Sequence, residues 1–418
     1  MPVLRDYLAN VRRFSPDARR YLWVSALQGM GQGVFQLLFN FYILSLGHQE
    51  GFLGFLISLP SFTALIFVLY AGYISDRIGR RATFLLGGVV SGLAQLLMLL
   101  LPTPAMLILA SILRGIGASL FGATTAPFLM ENSTPAERTH LFSFNAGIST
   151  MSSFVGNIAS GALPALFAWL FRVNAQSTKA YGWSLAITTL LTLATLLPML
   201  GLRRDKPLTQ RQIISPFAAL KEQRGSMTRL LLPSLIISMG AGLLIPFLNI
   251  FFRNRYGLSD GAIGTLYAVS SLGMGVAILL APILAERWGK AMTVVVTQGL
   301  SIPFLILMGF VPNLPLAILS FFMRMALMNL SGPVYQTMVM EEADESSRTT
   351  AASLYNMIWS MGRAISPSLS GPIQQAYGFD PVFGLTIFSY VISIYMVYRW
   401  FVWKRPQPAR LEAESRLP

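Results

Sequence analysis

Long apolar stretches separated by short polar ones run from about residue 21 to residue 403. The stretches are continuous, which suits helices, whereas a barrel strand would alternate residue by residue. Many reach the roughly 20 residues that carry a helix across about 30 Å of hydrocarbon. Twelve spans follow, with limits near 21–46, 51–74, 83–101, 104–130, 139–171, 181–202, 229–256, 261–284, 292–311, 314–340, 349–376 and 380–403. The longest polar interruption, residues 203–228, is basic, carries two prolines and separates six spans from six. The expected fold is an all-α membrane protein of twelve transmembrane helices in two six-helix bundles. Residues 1–20 form a leading segment, 21–202 the first bundle, 203–228 a linker, 229–403 the second bundle and 404–418 a tail.

The two halves match each other at a shift of 210 residues. Gly51 and Gly54 meet Gly261 and Gly264; Asp76, Arg77 and Gly79 meet Glu286, Arg287 and Gly289. Arg114 meets Arg324, Glu131 meets Glu341, Arg138 meets Arg348, and Gly161 meets Gly371. Glycines and charges seldom align this often by chance, so the pattern implies an internal duplication. Two like-oriented, pseudo-symmetric bundles are expected.

Composition agrees: 54% of residues are hydrophobic and 11% charged, against about a quarter charged in a soluble domain. The net charge of +14 raises the question of nucleic acid, and the placement of the basic residues answers it. Of 31 Lys and Arg, four fall outside (Arg172, Lys179, Arg253, Arg255) and three within spans (Arg114, Arg324, Arg363) if both termini are cytoplasmic; the remaining 24 are cytoplasmic. This positive-inside bias sets the expected orientation, and the basic balance reports topology and membrane lipid rather than nucleic acid. With no cysteine there is neither a disulfide framework nor a thiol nucleophile. The two histidines, His48 and His140, fall in loops on opposite sides, so no metal site is expected, and no G-x-x-x-x-G-K loop cradles a nucleotide. No cofactor and no enzymatic cluster are expected.

Polar residues inside the spans carry the candidate chemistry. Gln28, Gln32, Gln36 and Asn40 follow one another every four residues in span 1, forming a slowly drifting stripe about 18 Å long. Such amides are unfavourable against lipid, so they either bond neighbouring helices or line a path for a solute. At a local shift of 209, Asn40 meets Asn249, but the three glutamines meet Ile237, Ala241 and Ile245. The stripe belongs to one half. Arg114 and Arg324 each lie about ten residues into their helices, near the bilayer midplane, and Arg363 is similarly deep in span 11. An arginine there costs roughly 2.5–3.5 kcal/mol on insertion scales and should face protein or water. None of the 17 acidic residues sits clearly at the midplane, so packing on carbonyls and polar side chains, or a water-filled cavity with an anionic guest, are the two readings. Asn249 and Tyr335 join these as candidate contacts in spans 7 and 10.

The loop after span 2 reads GYISDRIGRR, with Gly72, Asp76, Arg77, Gly79, Arg80 and Arg81 at fixed places. It resembles the signature G-x-x-x-D-R-x-G-R-R of the major facilitator superfamily, and the twelve-span, two-half plan extends the resemblance over the whole chain. The second copy is degraded to PILAERWGK. The resemblance implies a secondary transporter working by alternating access around a midplane site, usually as a monomer, here in a bacterial inner membrane. It also implies gating roles: Asp76 and Arg77 with Glu131, mirrored by Glu286 and Arg287 with Glu341, and the pairs Glu131–Arg138 and Glu341–Arg348 bracketing short loops. Many proton-coupled drug exporters of the family carry R-x-x-Q-G in span 4, whereas Ser111 and Arg114 stand at those positions here. The expected substrate is a small organic anion or anionic amphiphile. The alternative is a proton-coupled multidrug efflux antiporter, in which Asp76, Glu131 or Glu341 would have to titrate.

Overall fold

The computed structural model describes residues 14–203, 224–341 and 348–403, and among these the chain is helical, without strands. The first half supplies α1 (Pro16–Ser45), α2 (Glu50–Ile78), α3 (Arg80–Leu100), α4 (Pro104–Glu131), α5 (Pro135–Phe171) and α6 (Thr178–Ala194, continued at Leu196–Leu200). The second supplies α7 (Arg224–Leu244 and Leu248–Tyr256, joined by a 3-10 turn at Ile245–Phe247), α8 (Asp260–Trp288), α9 (Lys290–Phe310), α10 (Leu314–Glu341), α11 (Arg348–Tyr377) and α12 (Asp380–Val397, ending in a π turn at Tyr398–Val402).

The helix starts are written in the sequence. Prolines at 16, 104 and 135 open α1, α4 and α5, where a missing N–H removes no bond. Ser15 and Thr103 accept hydrogen bonds from the amides of Ala18 at 3.1 Å and Met106 at 3.4 Å, and Thr134 forms a capping box with Glu137. Between α2 and α3 the chain turns at Gly79 with φ 88°, and between α8 and α9 at Gly289 with φ 77°. Side chains rarely adopt that conformation, which explains why the signature and its second copy keep this glycine.

Nine of these helices are long and apolar enough to cross a membrane, and α8 is a tenth if its 49° bend is read as one broken span. Pro282 cannot bond the carbonyl of residue 278, inside the break at residues 275–280. The remaining two, α1 and α11, fall short because α1 holds the amide stripe and α11 holds Arg363, Ser366, Ser368, Ser370, Gln374 and Gln375. Ser366, Ser370 and Gln374 of α11 are buried, whereas of the α1 amides only Asn40 is.

Two compact units can be distinguished within the described residues. One combines α1–α6 with Leu243–Leu272 and Arg363–Phe379. Its core at the termini end packs Phe14, Tyr21, Phe84, Phe128 and Met199. The other combines the described part of α7 up to Gly242 with Gly273–Gly362 and α12, around Leu230, Val294, Val334, Tyr355 and Phe401.

Within the first unit the repeated glycines form two matching crossings. Gly54 of α2 meets Pro367 and Gly371 of α11, and Gly264 of α8 meets Asn157 and Gly161 of α5. A step of 210 carries each partner of one crossing onto a partner of the other. A side chain at Gly264 would lie 2.7 Å from the Asn157 carbonyl oxygen, so only glycine lets the backbones approach this closely.

Candidate functional site

α1 packs chiefly against α5 and α6, and its glycines decide which face that is. Gly29 and Gly33 sit on the backbone at Ser149, Ser153 and Gly156 of α5, and Ser153 Oγ donates to the Gly29 carbonyl at 3.0 Å. The adjoining arc, about 100° wide at 100° per residue, carries Phe35, Gln28, Phe39, Gln32 and Gln36. Gln28 is half-buried, while Gln32 and Gln36 are exposed.

Arg114 of α4 comes onto that arc. Its guanidinium carbon lies 3.7 Å from the Phe35 ring centroid and 5.9 Å from that of Phe39, and the two rings stack at 4.9 Å. Gly115 beside it lets α4 close on Pro60 and Thr63 of α2. Among the described residues Arg114 makes no ion pair. A guanidinium with one face on an aromatic ring still has its edge N–H donors, the geometry that takes a carboxylate or phosphate in a fork.

The other expected contacts fall into different settings. Asn40 and Asn249 bond to each other at 2.9 Å, and both amides are spent on protein. Arg324 is fully buried: Nη2 donates to the Tyr390 hydroxyl of α12 at 2.8 Å, Nη1 to the Met325 sulfur at 3.6 Å, and Nε has no partner among the described residues. Of the two readings of a midplane arginine, packing on polar side chains describes Arg324. Tyr335 is also buried, donating to the Leu230 carbonyl at 2.6 Å and stacking on Tyr355. Arg363 is exposed.

At the termini end, Arg80 rather than Arg77 meets Glu131. Arg80 is 4% exposed and lies 2.8 Å from Asp76 and 3.2 Å from Glu131, with a further bond to Ser75 Oγ at 2.7 Å. Arg77, one residue after Asp76, points about 100° away and donates to the Tyr73 hydroxyl at 3.2 Å. The turn at Gly79 is what swings Arg80 back over the end of α2, four residues after Asp76. The second half repeats the bond at the equivalent positions, Lys290 with Glu341. Glu286 and Arg287 are exposed and make no ion pair among the described residues. Arg81 donates to the Leu200 carbonyl at 2.7 Å; Gly72 has open space around it, and Arg138 is half-buried, its Nε without a partner among the described residues. The Arg348 side chain, the linker at 204–223 and the tail lie outside the described residues.

Three residues gather at the opposite end, of which the sequence reading took Arg253 as a topology marker and left Tyr181 and Asp260 aside. Arg253 in the last turn of α7 pairs with Asp260, the first residue of α8. The Tyr181 hydroxyl of α6 donates to Asp260 Oδ2 at 2.9 Å and accepts from Arg253 Nη2 at 2.9 Å. One signal was available: Asp260 matches Glu50 at the shift of 210, an acid at the same point of each half.

Twelve helices, a charged loop motif in each half and a deep arginine that makes no ion pair among the described residues are what the comparisons with known proteins have to account for. The sequence model of the Major Facilitator Superfamily matches twice, over residues 21–234 and 230–417, and the chain belongs to that family. It is 24% identical to the uncharacterized MFS-type transporter YceJ of Bacillus subtilis (strain 168) over 348 residues, 82% of this chain and 85% of that protein. The solved structure of the nucleoside transporter NupG superposes with a TM-score of 0.75 at 15% identity, covering 93% of this chain and 100% of that one. A bacterial homolog of the human lysosomal transporter Spinster, inward-facing and unoccupied, superposes with a TM-score of 0.75 at 17% identity, over 94% and 98% of the two chains. The protein is thus an integral membrane secondary transporter of a small molecule.

Proposed function

We propose that the protein carries a small organic anion or anionic amphiphile across a bacterial cytoplasmic membrane by alternating access, with both termini in the cytoplasm. The observation that carries this reading is Arg114, held deep in α4 on the stacked rings of Phe35 and Phe39, with no acidic partner among the described residues. An anion on the free edge of the guanidinium would offset the penalty of placing it among the spans. Gln32 and Gln36, exposed on the same arc, would bond the neutral polar groups of the substrate, with Gln28 at the rim and Arg363 as a second cation. Arg324 and Tyr335 would then serve helix packing, and Asn40 with Asn249 the closure of one end.

Proton-coupled efflux of cationic drugs is the weaker reading. It asks for a carboxylate deep among the spans, and the buried acids among the described residues, Asp17 and Asp260, lie at helix ends. Protons remain the candidate coupling ion. The test is thermal stabilisation of the detergent-purified protein by a panel of anionic, zwitterionic and cationic solutes. Stabilisation by anions is expected, and stabilisation by cations alone would refute the substrate class.

A further inference from the structure

The cluster of Tyr181, Arg253 and Asp260 has no place in the substrate reading, yet it contains an ion pair at the end of the first unit opposite the start of α1. Arg253 and Asp260 both belong to the second half, joined across the short turn at Gly257. Their pairing survives any motion of that half as a body. Tyr181 belongs to the first half, and its hydroxyl is caught between them, accepting from the guanidinium and donating to the carboxylate. The guanidinium also lies 3.2 Å from the ring centroid of Phe41 in α1, again in the first half. Tyr181 and Phe41 are 1% exposed and Asp260 8%, so the hydroxyl and the carboxylate are shielded from water, while Arg253 is half-buried.

A hydroxyl that donates to an anion and accepts from a cation satisfies both at once, and hydrogen bonds to charged groups are about twice as strong as neutral ones. Other bonds between the halves among the described residues are neutral, such as Asn40–Asn249, Asn157 Nδ2 to Ser271 Oγ at 3.3 Å, the Ser368 amide to Ser58 Oγ at 3.0 Å, and Gln375 to Gln49 at 2.5 Å. This charge-assisted link runs through one oxygen atom. We propose that Tyr181, seated on the Arg253–Asp260 pair and backed by Phe41, is the latch of the external gate: these are positioning residues that set how often the transport site opens to the outside. The proposal rests on the alternating-access reading above.

The absence of native cysteine makes the latch measurable without knowing the substrate. A single cysteine at Gln36→Cys lies one turn inside Asn40 on the exposed arc of α1. Its rate of alkylation by a membrane-impermeant maleimide is read in right-side-out and in inverted vesicles. Tyr181→Phe keeps the ring and removes only the oxygen. It is expected to raise external labelling by about 10- to 100-fold and to lower internal labelling, in line with the loss of bonds to charged partners. Asp260→Asn should act in the same direction, and the double variant should not exceed Tyr181→Phe alone, because both remove one link. Should Asp260→Asn fail to fold, Tyr181→Phe decides the matter. Labelling at the parent rate from both sides overturns the latch. A rise from both sides alike contradicts the alternating-access reading on which it rests.

Discussion

Asn40 and Asn249 occupy equivalent places in the two halves and bond each other by a rule that exchanges them. Asn40 Nδ2 donates to Asn249 Oδ1 at 2.9 Å and to the Pro246 carbonyl at 2.6 Å, while Asn249 Nδ2 donates to the Leu37 carbonyl at 2.9 Å. The step of 209 that carries Asn40 to Asn249 also carries Leu37 to Pro246. Each asparagine thus donates to the carbonyl three residues before its partner. Both residues are 2% exposed and their amides are bonded to protein, whereas Gln32 and Gln36, which have no counterparts in the second half, are exposed.

A mutant cycle tests that pair. Asn40→Leu leaves buried polar groups of α7 without a donor and should lower stability by roughly 1–3 kcal/mol. Asn40→Leu with Asn249→Leu should cost clearly less than the sum of the single changes, since no half-pair remains. Melting in detergent reads both; strict additivity would show that the two amides act independently.

The signature loop yields an order of effects. Arg80→Ala removes a guanidinium that is 4% exposed and leaves Asp76 and Glu131 without their partner, and should destabilise by roughly 2–4 kcal/mol. Arg77→Ala loses an exposed bond to Tyr73 and should fall within about 0.5 kcal/mol of the parent. The same melting experiment decides, and the reverse order would show that Arg77 is the bridging residue.

Glycines of the two crossings should be intolerant where Gly72, the first glycine of the signature, is not. Gly264→Ala places a methyl group 2.7 Å from the Asn157 carbonyl oxygen and 2.9 Å from the Gly161 amide nitrogen, and should destabilise by about 1–3 kcal/mol. Gly72→Ala meets nothing within 4 Å and, inside a helix, should be neutral or stabilising by up to about 1 kcal/mol. Comparable losses in both would mean that close approach is not what holds Gly264.

The exposed amides should act on the solute alone. Gln32→Leu removes no bond within the protein that the described residues make, so the melting temperature should hold while affinity for the best anion in the panel falls by about 3- to 10-fold. Unchanged affinity would assign the stripe to lipid or to packing.

Much of this was legible before any coordinates. Period and length give the twelve helices, because burial in lipid leaves the backbone few options. The repeat shift predicts which glycines correspond, but not that Gly54 meets Gly371 while Gly264 meets Gly161, since the pairing of helices is a matter of three-dimensional packing. Sequence also leaves Arg114, Arg324 and Arg363 alike in depth, and separates them poorly in role. Their difference lies in whether a neighbouring helix offers a ring face, as Phe35 does to Arg114, or a hydroxyl, as Tyr390 does to Arg324. Arg77 and Arg80 stand three residues apart in the motif, and the positive φ of Gly79 between them decides which reaches Glu131. Asp260 escaped notice because a charge at a helix start reads as a topology marker until a partner such as Tyr181 is seen beside it.

The most direct test of the central claim is transport into proteoliposomes of the anions that stabilise the purified protein, comparing the parent with Arg114→Gln and Arg114→Lys. The account predicts that Arg114→Gln lowers transport at least about tenfold and abolishes stabilisation by anions, with Arg114→Lys recovering only part because it cannot form the planar fork. Undiminished anion transport by a folded Arg114→Gln protein would contradict it.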